Sequence, residues 1–259
     1  MPDPIDALTA RRGPDRQFLT WVRLDLRRAG HDGRFLAFSI ALPVLMFLVF
    51  GLRDDVVGYR YPGGNATAYV MVSMGVFAAA MSATSAAARI ATERWQGWVR
   101  QLQVLQPSLH RYVAVRITVA AAQALAAVLV MFLAGAILGA RGDALMWVFS
   151  PLVCWASSAV FAAAGIAMGL RMRTQNAMQM AGPGLALLAA VGGLFVPIDS
   201  GPFALFSQFT PMYGMGALAH LPITHADPTI PLVNTAVWAT IAAAAAIAST
   251  RGLDSRAVT

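Results

Sequence analysis

The sequence predicts an all-α, polytopic membrane protein of six transmembrane helices. An interfacial helix precedes them, a short cytoplasmic helix joins the second to the third, and re-entrant helices lie in the outer leaflet before the last. Three observations carry this prediction. The chain of 259 residues is 58% hydrophobic and only 12% charged, with mean hydropathy +0.62, whereas a soluble domain carries roughly 25% charged residues. Its apolar residues gather into runs at 35–52, 66–88, 112–140, 144–170, 176–197 and 229–250; a helix rising about 1.5 Å per residue needs roughly 20 such residues to cross about 30 Å of hydrocarbon. The arginines, finally, alternate in density from one connection to the next.

Residues 1–34 precede the first run and contain no short apolar core followed by a small-residue cleavage site, so no cleavable signal peptide is expected. Arg11 and Arg12 are followed by Gly13, Pro14 and Asp15 rather than by an apolar region, which argues against a twin-arginine signal. The stretch RQFLTWVRLDLRRAG places Phe18, Leu19, Trp21, Val22 and Leu26 toward one side of a helix, and Arg16, Arg23, Asp25 and Arg27 toward the other. Such a helix lies in the headgroup plane. The first span is the shortest, and Pro43 is expected to kink it.

Topology follows from arginine, because cytoplasmic flanks retain basic residues. Sixteen of the nineteen arginines fall before the first span, in the second and fourth connections and at their edges, or in the tail 251–259; the alternate connections hold only Arg53, Arg60 and Arg141, together with Asp54, Asp55, Asp143, Asp199 and Asp227. Both termini are therefore expected in the cytoplasm, and residues 35–250 form the transmembrane domain. The surplus of +7 is explained by topology, with no need for nucleic-acid binding. Its basic side faces anionic lipid headgroups.

Two connections are more than loops. Between the second and third spans, in 89–111, the run TERWQGWVRQLQVLQP places Trp95, Trp98, Val99, Leu102 and Leu105 at helical spacing, with Glu93, Arg94, Gly97 and Arg100 among the remaining positions. Pro107 ends this helix, because the residue before a proline disfavours the α region. An amphipathic helix there must bury its stripe against headgroups, its own bundle or another protein. The other, 199–227 before the last span, contains Pro202, Pro211 and Pro222 and many apolar groups but no arginine, too apolar for a solvated loop; two short helices dipping into the outer leaflet are expected.

Within the spans, Gly135 and Gly139, and again Gly165 and Gly169, have the Gly-x-x-x-Gly spacing that lets helices approach closely, mainly within one subunit. Gly182, Pro183 and Gly184 form a candidate hinge in the fifth span. Intramembrane polar groups are hydroxyls and amides such as Ser73, Ser82, Thr84, Gln123 and Ser157, with no deep charge of the kind that marks an ion pathway. They suit an amphiphilic substrate. Cys154 is alone, the four histidines are dispersed, and no metal-ligand spacing occurs. Lysine is absent altogether, so no Walker A loop can reach a nucleotide's phosphates from this chain.

The run IATERWQGWVRQLQVLQPS, from Ile90 to Ser108, followed near the C-terminal end by GGLFVPI (Gly192 to Ile198) and FTPMY (Phe209 to Tyr213), resembles the permeases of ABC-2 type transporters, the drug- and antibiotic-resistance branch in particular. The resemblance covers nearly the whole chain. It departs at Gln103, Val104, Leu105 and Gln106, where relatives more often place a small or hydroxyl residue near the proline. It implies a permease subunit in the cytoplasmic (inner) membrane that dimerises, as homodimer or heterodimer, and docks a separate ATPase carrying ATP and Mg. No cofactor, metal or catalytic residue is expected on this chain itself. Coupling to the ATPase is assigned to Glu93, Arg94, Trp95, Gly97, Trp98, Arg100, Leu102 and Pro107, and an outer gate to Pro197, Pro211 and Tyr213. The competing functions are a membrane scaffold or regulatory subunit and, for lack of clustered acids or histidines less favoured, a lipid-modifying membrane enzyme.

Overall fold

A computed structural model of the chain describes residues 14–31, 33, 37–53, 58–95, 109–172, 176–195 and 202–257. In chain order they form helix α1 (Pro14–Gly30), a π-helical turn (Ala37–Ala41), α2 (Leu42–Gly51), the two-residue strands β1 (Arg60–Tyr61) and β2 (Gly64–Asn65), α3 (Ala66–Trp95), α4 (Leu109–Ile137), α5 (Ala144–Arg171), α6 (Asn176–Val191), α7 (Pro202–Ser207), α8 (Pro211–Thr224) and α9 (Thr229–Ala257). Among the described residues, α3, α4, α5 and α9 are long and apolar enough to cross a membrane. The molecule is a helical, multi-pass membrane protein.

Two of the expected spans are shorter than their apolar runs, for local reasons. Pro43 sits in the first turn of α2 and has no N–H to continue the ladder behind it, so the break precedes the proline as a π turn, where a kink inside one helix was expected. The apolar helix there is Ser39–Gly51. Helix α6 stops at Val191, short of the expected 197, because Gly193 adopts φ +71°; Leu194 N–H then donates to the Ala189 carbonyl at 2.9 Å and Gly193 N–H to Ala190 at 3.2 Å. This pair of bonds is a Schellman turn.

The core is built around α3, whose apolar window is 89% buried, against 11% for α9. Helix α3 packs on α2, α4, α5, α6 and α8, while α9 lies outside against α5 and α8. Small side chains make this possible. A Cβ added at Gly165 would meet the Thr84 carbonyl oxygen at 2.7 Å, one at Gly169 would meet Ile90 and Ala91 at 3.3 Å, and one at Gly135 would run into Met71. Three of the four predicted packing glycines therefore press α4 and α5 against α3. Gly139 does not: α4 ends before it, nothing lies within 4 Å of its added Cβ, and its φ of +94° makes it a turn residue. The helix runs unbroken through Gly182, Pro183 and Gly184.

Beyond α3 and α4 lies a neutral, tightly bonded cap. Asn65 caps α3 by accepting from Ala68 N–H at 2.9 Å, and it also accepts from Arg141 N–H and donates to the Gly139 carbonyl. Gly63, in the turn between β1 and β2, donates its N–H to the Ile223 carbonyl at 2.9 Å and accepts from Asp143 N–H at 3.1 Å. No side chain would fit there, since an added Cβ would lie 1.8 Å from the Pro222 oxygen. Helix α8 starts at Thr210, whose hydroxyl accepts from Tyr213 N–H, with Pro211 in the first turn.

Candidate functional site

At the end of α3 away from the hairpin, three separate elements converge on one guanidinium. Tyr112 and Arg116 stand one turn apart on α4 and so share a face. The Glu93 carboxylate, near the end of α3, accepts hydrogen bonds from both the Tyr112 hydroxyl and the Arg116 guanidinium. From the other side, Asp25 of α1 accepts from Arg116 Nη1 at 2.8 Å. The Arg116 side chain is 7% exposed, so its charge is largely removed from water; a desolvated cation is tolerable only when opposite charges and hydrogen bonds replace its hydration. The planar fork of arginine can address two carboxylates at once, which lysine cannot do in the same geometry.

This arrangement revises two expectations. Glu93, assigned to a surface that meets the ATPase, turns back into its own bundle. Asp25, placed on the polar side of the interfacial helix, belongs to the packed stripe: Phe18, Trp21, Val22, Asp25 and Leu26 are half-buried while Leu19 is 64% exposed. The offsets of this stripe are zero, three, four, seven and eight, a helical face that Asp25 completes. Sequence reasoning counted Arg116 only as a topological charge, although its spacing from Tyr112 was legible. Of the remaining candidate coupling residues, Gly97, Trp98, Arg100, Leu102 and Pro107 lie outside the described residues, and Arg94 and Trp95 have a described backbone only.

The opposite end holds the outer-gate candidates. Pro211 is buried in the first turn of α8 and Tyr213, two residues on, is half-buried; Pro197 lies outside the described residues. The residue missed there is His220. It is 4% exposed, stacks on Tyr69 with ring centroids 3.8 Å apart, and brings Nε2 to 3.0 Å from the Tyr69 carbonyl and 3.1 Å from Ser73 Oγ. Burial pushes its pKa down to about 4, so the ring is neutral at pH 7. The stack continues outward through Tyr61 to Tyr59, joining hairpin, α3 and α8. A lone histidine in the otherwise apolar PMYGMGALAHLPIT was the available signal. Ser150 Oγ, donating to the Ala219 carbonyl at 2.7 Å, fixes α5 to the same turn.

The sequence profile of the family described as "ABC-2 type transporter" matches residues 16–219. The chain is also 25% identical over 210 residues to "Putative transport permease YvfS" of Bacillus subtilis (strain 168), covering 79% of this chain and 84% of that protein. The matched span includes Asp25, Glu93, Tyr112 and Arg116 and closes one residue before His220. The chain belongs to the ABC-2 type transporter family, as a transport permease of the membrane.

Proposed function

We propose that this chain is the membrane subunit of an ATP-driven exporter of amphiphilic compounds, working with a separate ATPase and a second permease subunit. In this reading it spans the inner membrane six times with both termini in the cytoplasm, and 199–227 re-enters the outer leaflet. The observation that carries it is the junction at Arg116. Glu93 stands on one flank of 96–108, Tyr112 and Arg116 on the other, and Asp25 on α1. Through these contacts a displacement at the junction passes into α1 and into α3, the helix on which most others pack. The ATPase can drive that displacement only if it binds two positions of the connection with different affinity.

The test is copurification with the ATPase encoded beside this chain, comparing the Glu93→Gln and Trp98→Ala variants. Because Glu93 turns inward, Glu93→Gln is expected to retain docking and lose stimulation of ATP hydrolysis. Trp98, in the apolar stripe that the sequence predicts for 89–111, is expected to be needed for docking itself. Full docking and full stimulation in both variants would refute the coupling role. A chain that binds no ATPase would instead support the scaffold reading.

A further inference from the structure

A cleft of about 260 Å³ runs along one face of α8, past Met212, Tyr213, Gly216, His220, Leu221 and Thr224. These positions span thirteen residues, twelve rises and so about 18 Å of helix. The facing wall comprises Leu194, Ser207 and Pro231, and Asp227 stands at the mouth. The charge and hydrogen-bonding capacity of this lining are one-sided. Among the described residues no arginine lines it, and Asp227 is the one charged side chain. Two hydrogen bonds from Thr229 hold the Asp227 carboxyl below the usual carboxylate range, so it is ionised at pH 7.

Most of the polar protons around the cleft are already committed, the Tyr213 hydroxyl being an exception in the lining. Ser207 Oγ donates to the Ala204 carbonyl at 2.9 Å and Thr224 Oγ1 to the His220 carbonyl at 3.2 Å, while His220 Nε2 is engaged by Tyr69 and Ser73. What these hydroxyls and Asp227 have left is acceptor capacity. A ligand that fits must bring donors and positive charge to the mouth and an apolar body to the walls of Leu194, Met212, Leu221 and Pro231. An anionic headgroup meets neither condition, because a charge is accepted in such a site only against an opposite charge or free donors.

We infer that this cleft binds a monocationic amphiphilic amine, its ammonium group against Asp227 and its apolar body along α8. Its meaning for transport rests on the permease reading above, but the binding is a property of this chain alone. The site then selects for charge at the head and against bulk along the body, with walls thinned by Gly192, Gly193 and Gly216.

The experiment is calorimetric titration of the purified chain, in neutral detergent at pH 7 and without any ATPase, using three probes that share one body: 4-phenylbutylammonium, 4-phenylbutanol and 4-phenylbutyrate. The expected order is amine first, alcohol weaker, carboxylate undetected. Asp227→Asn, at a fully exposed position, should weaken the amine up to about fivefold and leave the alcohol unchanged, as loss of one solvent-exposed ion pair predicts. Ala217→Phe, which fills the cleft without altering charge, should abolish binding of both. Equal binding of the three probes, no binding of the amine, an unchanged amine affinity in Asp227→Asn, or binding that survives Ala217→Phe overturns the inference. Stimulation of ATP hydrolysis, measured without amine, tests the permease reading separately.

Discussion

Helix α3 enters the bundle at Asn65 among neutral hydrogen bonds and stacked rings, and about 40 Å later, at Glu93, it is held by charge. The Asn65 end uses backbone carbonyls, a buried neutral imidazole and a glycine that admits no side chain, all short-range contacts with a single good geometry. The Glu93 end uses one guanidinium shared between carboxylates on two different elements. Ionic contacts tolerate small displacements better than a hydrogen-bonded turn does, because Coulomb energy falls only as the inverse of distance. The contrast suits a helix anchored at one end and driven at the other.

Removing the cation should do the most damage. Arg116→Met leaves Glu93 and Asp25 facing each other without a shared partner and is expected to destabilise the protein by about 3 kcal/mol, as broken buried pairs do; thermal unfolding in detergent measures it. The triple variant with Glu93→Gln and Asp25→Asn should recover much of that loss, because no uncompensated charge remains.

Next in size is steric conflict on α3 itself. Gly165→Val must displace the Thr84 backbone and Ala87, and should cost about 1–3 kcal/mol. Gly184→Ala meets nothing within 4 Å and should be neutral or stabilising by up to about 1 kcal/mol through helix propensity. The pair separates packing from propensity within one unfolding experiment.

The neutral end should respond to pH through His220. His220 has its pKa lowered from 6.5 to about 4 on folding, so its contribution is complete above the unfolded value and is lost as pH falls from about 6.5 toward 4, when the unfolded chain takes up a proton that the folded one refuses. His220→Asn should flatten unfolding midpoints over that window. Smallest of all is Ser82→Ala: its buried hydroxyl has no hydrogen-bond partner, and its loss should change stability by less than about 0.5 kcal/mol.

How much of this was legible depended on periodicity. The apolar runs of α3, α4, α5 and α9 exceed what a soluble helix needs, so their existence and order followed from hydropathy alone. Where those runs end did not, because ends are set by single backbone positions: Gly193 in the left-handed region closes α6, and Pro43 moves a break forward by its missing N–H. At the candidate site, Glu93 was legible as the one glutamate in the chain, but its direction was not, since Arg116 lies twenty-three residues on and Asp25 sixty-eight residues back. A helical stripe shows which side of α1 packs; it does not show that a carboxylate in the stripe meets a buried arginine. His220 was hidden for the same reason, its partners Tyr69 and Ser73 being about 150 residues away.

Asp25→Asn tests most directly whether α1 is coupled through Arg116 to the Glu93 end of α3, because Asp25 lies outside the connection that would meet the ATPase. The variant subunit, reconstituted in vesicles with its ATPase, is assayed side by side for docking affinity and for stimulated ATP hydrolysis. The account predicts unchanged docking with stimulation reduced severalfold. Stimulation equal to that of the native chain would show that α1 takes no part in coupling and would contradict it.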